Sequence, residues 1–371
     1  MANILFLTLK VFSATGGIEK VCRIISKSLY EYGIENNVKI AVSSLHDPSK
    51  SGFNNNYFPR IIFKGHGVNK LNFISDAVIR GRKANVVLLS HINLLPVGWL
   101  IKKISPKTKL ILIAHGIEIW SPLKTYVLKM LGSCDQILAV SNYTRNKIIE
   151  THNFPKEKCD VLHNCLDPFL PLPKNQNDNE LRKRYGFGPE DKIIFTLTRI
   201  STEERYKGYD KVIEAIALIQ NEHPNAKYLI SGSYDKKEKA KIDIQILKLG
   251  LSNKVVLSGF IAEEELSAHF NMADVYIMPS KKEGFGLVFI EAMFYSLPVI
   301  AGNADGSKDA LLNGELGILV DPDSITEIKE SIEKVLSGGS KAFTPNRKLL
   351  IENFGYETYK RNLEKKISSL N

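Results

Sequence analysis

Short apolar runs alternate with amphipathic stretches along almost the whole chain. In the first half the runs predict strands at 4–8, 38–43, 86–90, 110–114, 137–140 and 160–162, with helices notably at 18–32 and 123–131. The pattern breaks at 168–173, which is proline-rich, and at 175–179, which is polar; together they read as a linker. A second series follows. Strands are predicted at 193–198, 227–231, 255–257, 275–278, 299–301 and 317–320, and helices at 211–221, 237–249, 262–271 and 287–295. Strands and helices that alternate in this way predict α/β architecture, here two doubly wound, Rossmann-like domains with parallel sheets. No internal repeat or low-complexity tract interrupts them.

The most informative stretch runs from Glu283 through Gly284, Phe285, Gly286, Leu287 and Val288 to Glu291. Its glycine-rich half predicts a loop and its apolar half the start of a buried helix. Glu283 would then precede the helix N-terminus and Glu291 would lie about one turn inside it. The N–H groups between them sit at the positive end of a helix dipole, where phosphate binds. A phosphate site bracketed by two hydroxyl-accepting carboxylates suits a ligand with sugars at both ends of a pyrophosphate, a nucleotide-sugar. Cations are expected nearby. Arg199 ends the strand at 193–198, and Lys207 lies in the loop eight residues on. Ligands of parallel α/β sheets gather at the carboxyl ends of strands. In the first half, Gly16 and Gly17 lie between the first strand and a helix start, and His115 follows the strand at 110–114.

The Glu-x7-Glu spacing, with Ala292-Met293 and Leu297-Pro298-Val299-Ile300 after it and the Lys-Gly-x-Asp pattern from Lys207 to Asp210, resembles the donor-site signature of the retaining GT-B glycosyltransferases of group 1, family GT4, of the bacterial cell-surface polysaccharide type. The resemblance implies two domains facing across a cleft. The acceptor-side domain would be 1–167, the donor-binding domain 168–354, and a last helix in 355–371 would pack back on the first. It implies that Arg199 and Lys207 hold the donor phosphates and that Glu291 accepts from the ribose hydroxyls. Glu283, with the N–H groups of Phe285 and Gly286, would hold the donor sugar, and Leu287 and Val288 would offer N–H groups to phosphate. Gly284 and Gly286 let the backbone approach the ligand, and Gly232 makes room for the nucleotide. Gly16 and Gly17 would line the donor phosphates, and His115 would contact the donor sugar. Asn164 matches a family position, but His163 and Cys165 depart from the usual neighbours.

The reaction implied is transfer of a hexose from a UDP- or GDP-sugar with retention of configuration, the leaving phosphate itself taking the acceptor proton. No pair of carboxylates suited to double displacement is evident. No metal or other cofactor is expected. The sole Asp-x-Asp, Asp321-Pro322-Asp323, reads as a turn with capping. A nucleotide-sugar epimerase or a phosphorylase on the same architecture, and a non-catalytic nucleotide-sugar-binding protein, are the competing readings. The first strand lacks the Gly-x-Gly-x-x-Gly of a dehydrogenase.

Composition changes this picture in three respects. No apolar run reaches the ~18–20 residues of a membrane-spanning helix, and the N-terminus reads as a strand, not a signal peptide. Four cysteines, at 22, 134, 159 and 165, form no C-x-x-C pair and suggest a reducing, cytoplasmic setting. The net charge of +10 is uneven. Residues 1–165 hold 22 Lys and Arg against 10 Asp and Glu, whereas residues 166–371 hold 28 against 30. The basic half predicts an anionic partner, with peripheral attachment to the inner leaflet of the plasma membrane and a lipid-linked or saccharide acceptor in lipopolysaccharide or related synthesis. No basic run with interleaved aromatics suggests nucleic acid.

Overall fold

The structure is a computed structural model that describes residues 3–50, 55–173, 179–338 and 344–370. Most of the polar linker stretch, 175–178, lies outside them, as do the first two residues. The chain divides into two compact units, Met1–Phe169 with Phe354–Asn371, and Leu170–Asn353.

The first unit holds seven strands: β1 (Asn3–Thr8), β2 (Lys39–Ser44), β3 (Phe63–Gly65), β4 (Val86–Leu89), β5 (Lys109–Ala114), β6 (Gln136–Ala139) and β7 (Cys159–Val161). All pair in parallel, in the order β3-β2-β1-β4-β5-β6-β7. The central strands are buried on both faces, which is why they read as continuous apolar runs; β4, Val-Val-Leu-Leu, is buried throughout. Strand β3 was not among the predicted runs. It has three residues, includes a lysine and a glycine, and sits at the sheet edge.

The second unit holds β8 (Lys192–Leu197), β9 (Ala226–Ser231), β10 (Val255–Gly259), β11 (Val275–Met278), β12 (Val299–Gly302) and β13 (Ile318–Val320). They also pair in parallel, in the order β10-β9-β8-β11-β12-β13. The helix predicted at 262–271 is shorter. Its first residues form a 3-10 turn, Glu263–Glu265, and the α-helix is Leu266–Met272.

The C-terminal helix Tyr356–Ser368 belongs to the first unit and buries Tyr359, Leu363 and Ile367. It runs beside the helix Gly17–Glu35. Tyr356 donates to Glu31 at 2.6 Å, and Lys360 pairs with Glu35 at 2.6 Å. Both sheets reverse strand order beside their first strand, between β1 and β4 and between β8 and β11. Loops diverge at such a switch point and leave a crevice at the carboxyl ends of the strands.

Candidate functional site

In the second unit the predicted residues collect at the β8/β11 switch point. Two residues past β8, Arg199 is exposed and its Nη1 donates to Glu204 Oε1 at 3.1 Å. A 3-10 segment, Thr202–Lys207, leads from there to the helix Tyr209–Ile219. The segment is pinned beside the loop after β11, because the Lys281 N–H donates to the Tyr206 carbonyl at 2.9 Å. Lys207 lies at its end, largely buried, with Nζ on the Glu283 carboxylate. Burial alone would weaken its charge. The Glu283 carboxylate outweighs burial and holds the ammonium above its usual range. Burial pushes the Tyr206 phenol up, and Lys207 Nζ stands 5.4 Å from the centre of its ring.

Gly286 is the N-cap of the helix Leu287–Phe294, with φ +87°. A Cβ there would lie 2.3 Å from the Phe289 ring, so both backbone and packing demand glycine. Leu287 and Val288 are the first two helical residues, whose N–H groups have no acceptor within the helix. The Phe285 side chain is buried, which leaves its backbone as the part that can meet a ligand. Glu291 is buried one turn inside the helix. The fully buried Tyr276 phenol on β11 is acted on by both Glu283 and Glu291. Gly232 has φ +135°, and a Cβ there would lie 1.8 Å from the Thr198 carbonyl oxygen. The space it leaves is therefore filled by the backbone that carries Arg199.

Two acidic residues that sequence reasoning passed over shape these loops. Glu238, fully buried near the start of the helix Lys236–Lys248, accepts from Arg205 at 3.0 Å and Tyr209 at 3.1 Å, which flank Lys207. Asp305, after β12, accepts the backbone N–H of Glu283 at 2.5 Å and that of Ser307 at 2.9 Å. Burial, then the neighbouring Glu283 carboxylate, pushes Asp305 up to about 7. Neither residue stands in a recognisable motif; each is found only through its partners in the fold.

In the first unit Gly16 is the extended N-cap of the helix Gly17–Glu35 and makes no side-chain cap. The Glu19 carboxylate folds over it, since a Cβ on Gly16 would lie 2.5 Å from Glu19 Oε2. The positive end of this helix thus already faces a carboxylate. The loop leading to it is shaped by the buried Asp47, which accepts N–H bonds from Val11 at 2.7 Å, Phe12 at 3.0 Å and Ser13 at 2.7 Å. His115 follows β5. Its Nε2 lies 2.8 Å from the Ser90 carbonyl oxygen and donates to it. The His115 N–H donates to Glu118 at 2.6 Å. Beside it His91 is held below its usual range by burial, with Glu118, His115 and Glu19 acting on it. Asn164 is buried with its Oδ1 unpaired.

Among the described residues no group of three or more His, Cys, Asp or Glu side chains converges as a metal-ligand set. The Asp321-Pro322-Asp323 segment is a turn. Asp321 Oδ1 accepts the Asp323 N–H at 2.9 Å, and Ser324 caps the next helix through the Glu327 N–H at 3.1 Å.

Two family sequence models match the chain, "Glycosyltransferase Family 4" over residues 15–168 and "Glycosyl transferases group 1" over residues 177–354. A GDP-mannose-dependent α-(1-6)-phosphatidylinositol monomannoside mannosyltransferase of Mycobacterium tuberculosis is 28% identical over 255 residues, which are 65% of this chain and 63% of that protein. The capsular polysaccharide biosynthesis glycosyltransferase CapM of Staphylococcus aureus is 30% identical over 63% of this chain and 58% of its own. The chain thus spans less than two thirds of the length of these curated relatives. Among solved structures, Anabaena HepE in complex with UDP and glucose superposes over the whole of both chains, with a TM-score of 0.80 at 20% identity. The two-sheet arrangement is the GT-B fold.

Proposed function

Since the chain belongs to the group 1 glycosyltransferases of family GT4, we propose that it transfers a hexose from a UDP- or GDP-sugar, with retention of configuration and without a metal, to a lipid-linked or saccharide acceptor of cell-surface polysaccharide synthesis. The observation that carries this reading is the cluster at the β8/β11 switch point. Lys207 is buried on Glu283, Arg199 follows β8, and the N–H groups of Leu287 and Val288 have no acceptor within their helix.

Charge develops on the β-phosphate as the bond from the anomeric carbon to the phosphate oxygen breaks. Fixed cations and N–H donors stabilise that charge without reorganising. In this reading Arg199, Lys207, Leu287 and Val288 receive the pyrophosphate, Glu291 takes the ribose hydroxyls, and Glu283 takes hydroxyls of the donor sugar. Donor binding exchanges the Glu283 partner of Lys207 for phosphate. The acceptor hydroxyl oxygen then bonds to the anomeric carbon on the face the phosphate leaves, and its proton passes to the departing phosphate oxygen. His115, with Gly16 and Gly17, serves the first unit's share of the reaction and meets sugar hydroxyls. Glu19 must swing from Gly16 if that helix end is to meet phosphate.

The relatives support a saccharide donor and acceptor but differ among themselves in both, so base, hexose and acceptor are left to experiment. Binding of a panel of UDP- and GDP-sugars with chelator present tests the donor assignment. One donor bound selectively in chelator supports it; binding that needs a divalent cation removes the metal-independent mechanism.

The acceptor is proposed to be presented at a membrane. No helix among the described residues is long and apolar enough to cross one. Residues 48–75 contain Lys50, Arg60, Lys64 and Lys70 and no acidic residue. Among them Ile61, Val68 and Leu71 are exposed at 92%, 64% and 80%. Exposed apolar side chains among cations suit the headgroup region of an anionic bilayer. Salt-sensitive sedimentation with phosphatidylglycerol vesicles and not with phosphatidylcholine vesicles is expected; equal behaviour with both removes the attachment.

A further inference from the structure

Glu283 and Asp305 lie 22 positions apart in sequence and are locked together at the backbone. Asp305 Oδ2 accepts the Glu283 N–H at 2.5 Å, and the Glu283 carbonyl accepts the Gly306 N–H at 2.9 Å. Asp305 Oδ1 turns the other way, to the Ser307 N–H at 2.9 Å, and so fixes its own turn. The two loops touch backbone to backbone. A Cβ on Gly306 would stand 2.2 Å from the Gly284 carbonyl oxygen, a contact no side chain can make. Asp305 has no exposed surface. The lock therefore bonds both the N–H and the carbonyl of Glu283, the residue whose carboxylate meets Lys207.

Each Asp305 oxygen accepts one N–H, an arrangement that asparagine or serine, with a single side-chain acceptor oxygen, cannot reproduce. Both bonds come from one rigid group. The Glu283 backbone cannot turn without breaking one.

We infer that Asp305 is a positioning residue for donor-sugar recognition, acting through the backbone of Glu283 to aim its carboxylate at the hexose hydroxyls. This rests on the reading of Glu283 given above. The lock leaves the phosphate-binding groups in place: Arg199 and Lys207 belong to the loop after β8, and the N–H groups of Leu287 and Val288 to the following helix. Its loss should thus be felt by the sugar and not by the nucleotide.

The test is titration calorimetry of wild type, Asp305→Asn, Gly306→Ala and Glu283→Gln with UDP, GDP, UDP-glucose and GDP-mannose. Loss of the second acceptor oxygen, which leaves a buried N–H unpaired, predicts that Asp305→Asn weakens the nucleotide-sugar about tenfold or more relative to its nucleotide. Nucleotide affinity should move by less than about twofold. Gly306→Ala should show the same split by forcing the loops apart. Equal weakening of both ligands, or of neither, overturns the inference. Glu283→Gln separates the two levels of the argument. If it leaves nucleotide-sugar affinity intact, the role of Glu283 fails, and this inference with it; if it weakens the sugar while Asp305→Asn does not, the inference alone fails. Amide hydrogen exchange needs no ligand. Asp305→Asn should speed exchange in peptides spanning 281–286 and leave β8 protected, and unchanged exchange at 281–286 overturns the lock.

Discussion

Arg199 and Lys207 are given the same chemical task but stand in different surroundings, and this predicts that their removal separates activity from stability. The Arg199 side chain is 65% exposed and pairs with Glu204 at 3.1 Å. Exposed pairs of this kind contribute about 0–1 kcal/mol. Arg199→Ala should therefore melt within about 4 °C of wild type. Lys207 and Glu283 are only 15% and 12% exposed. Removing one partner of a buried pair leaves the other charge uncompensated and costs about 3–5 kcal/mol. For a unit of this size each kcal/mol lowers the melting temperature by about 2–4 °C, so Lys207→Met should lose roughly 6–20 °C. Lys207→Met combined with Glu283→Gln should recover part of that loss, because no stranded charge remains. Turnover should behave otherwise. Each single variant removes a group that meets charge in the transition state, and the loss should be about 10²–10³-fold in both. Thermal melting by circular dichroism and steady-state transfer assays on the same preparations measure the two quantities. Wild-type turnover in Arg199→Ala would refute the phosphate role. A Lys207→Met variant that melts like wild type would refute the buried-pair argument.

Stability should depend on pH through Asp305. Its folded pKa is raised to about 7 from the usual aspartate value of 3.8, so the native state keeps a proton that the unfolded chain gives up near pH 4. The stabilisation is fully present below about pH 4 and is lost as pH rises through 7, by about 4 kcal/mol at most. Denaturant titrations at pH 5 and pH 8 should show about 3 kcal/mol of that loss in wild type and a flatter profile in Asp305→Asn; parallel profiles would contradict it. In the C-terminal helix, Leu363 is fully buried, and Leu363→Ala should cost about 2–5 kcal/mol as a cavity variant. Little change in the melting of the first unit would mean that this helix adds little to its core.

The sheets were legible in the sequence because burial on both faces leaves no polar alternation in β4, β5, β8 or β12. Strand β3 was not, since an edge strand of three residues has too little buried surface to mark itself. The loop from Glu283 to Glu291 was legible because one contiguous segment carries both carboxylates and the helix start. Its supports were hidden. Asp305, Glu238 and Asp47 act on residues 22 to 36 positions away, and which loop each reaches depends on strand order, which spacing along the chain does not encode. The glycines show the same limit. Gly232 and Gly286 were expected to make room for a ligand, whereas the Thr198 carbonyl and the Phe289 ring fill the space a Cβ would need. Gly16 and Gly17 read as an open anion site, yet Glu19 covers Gly16.

The most direct test of the central claim is the anomeric configuration of the transferred sugar. Slow hydrolysis of the bound donor, followed by proton NMR before mutarotation, reads it without knowledge of the acceptor. Free sugar released first in the same anomeric form as in the donor, with chelator present and with the rate lost in Arg199→Ala, is the predicted result. Release of the opposite anomer would contradict same-face transfer by the phosphate-assisted route.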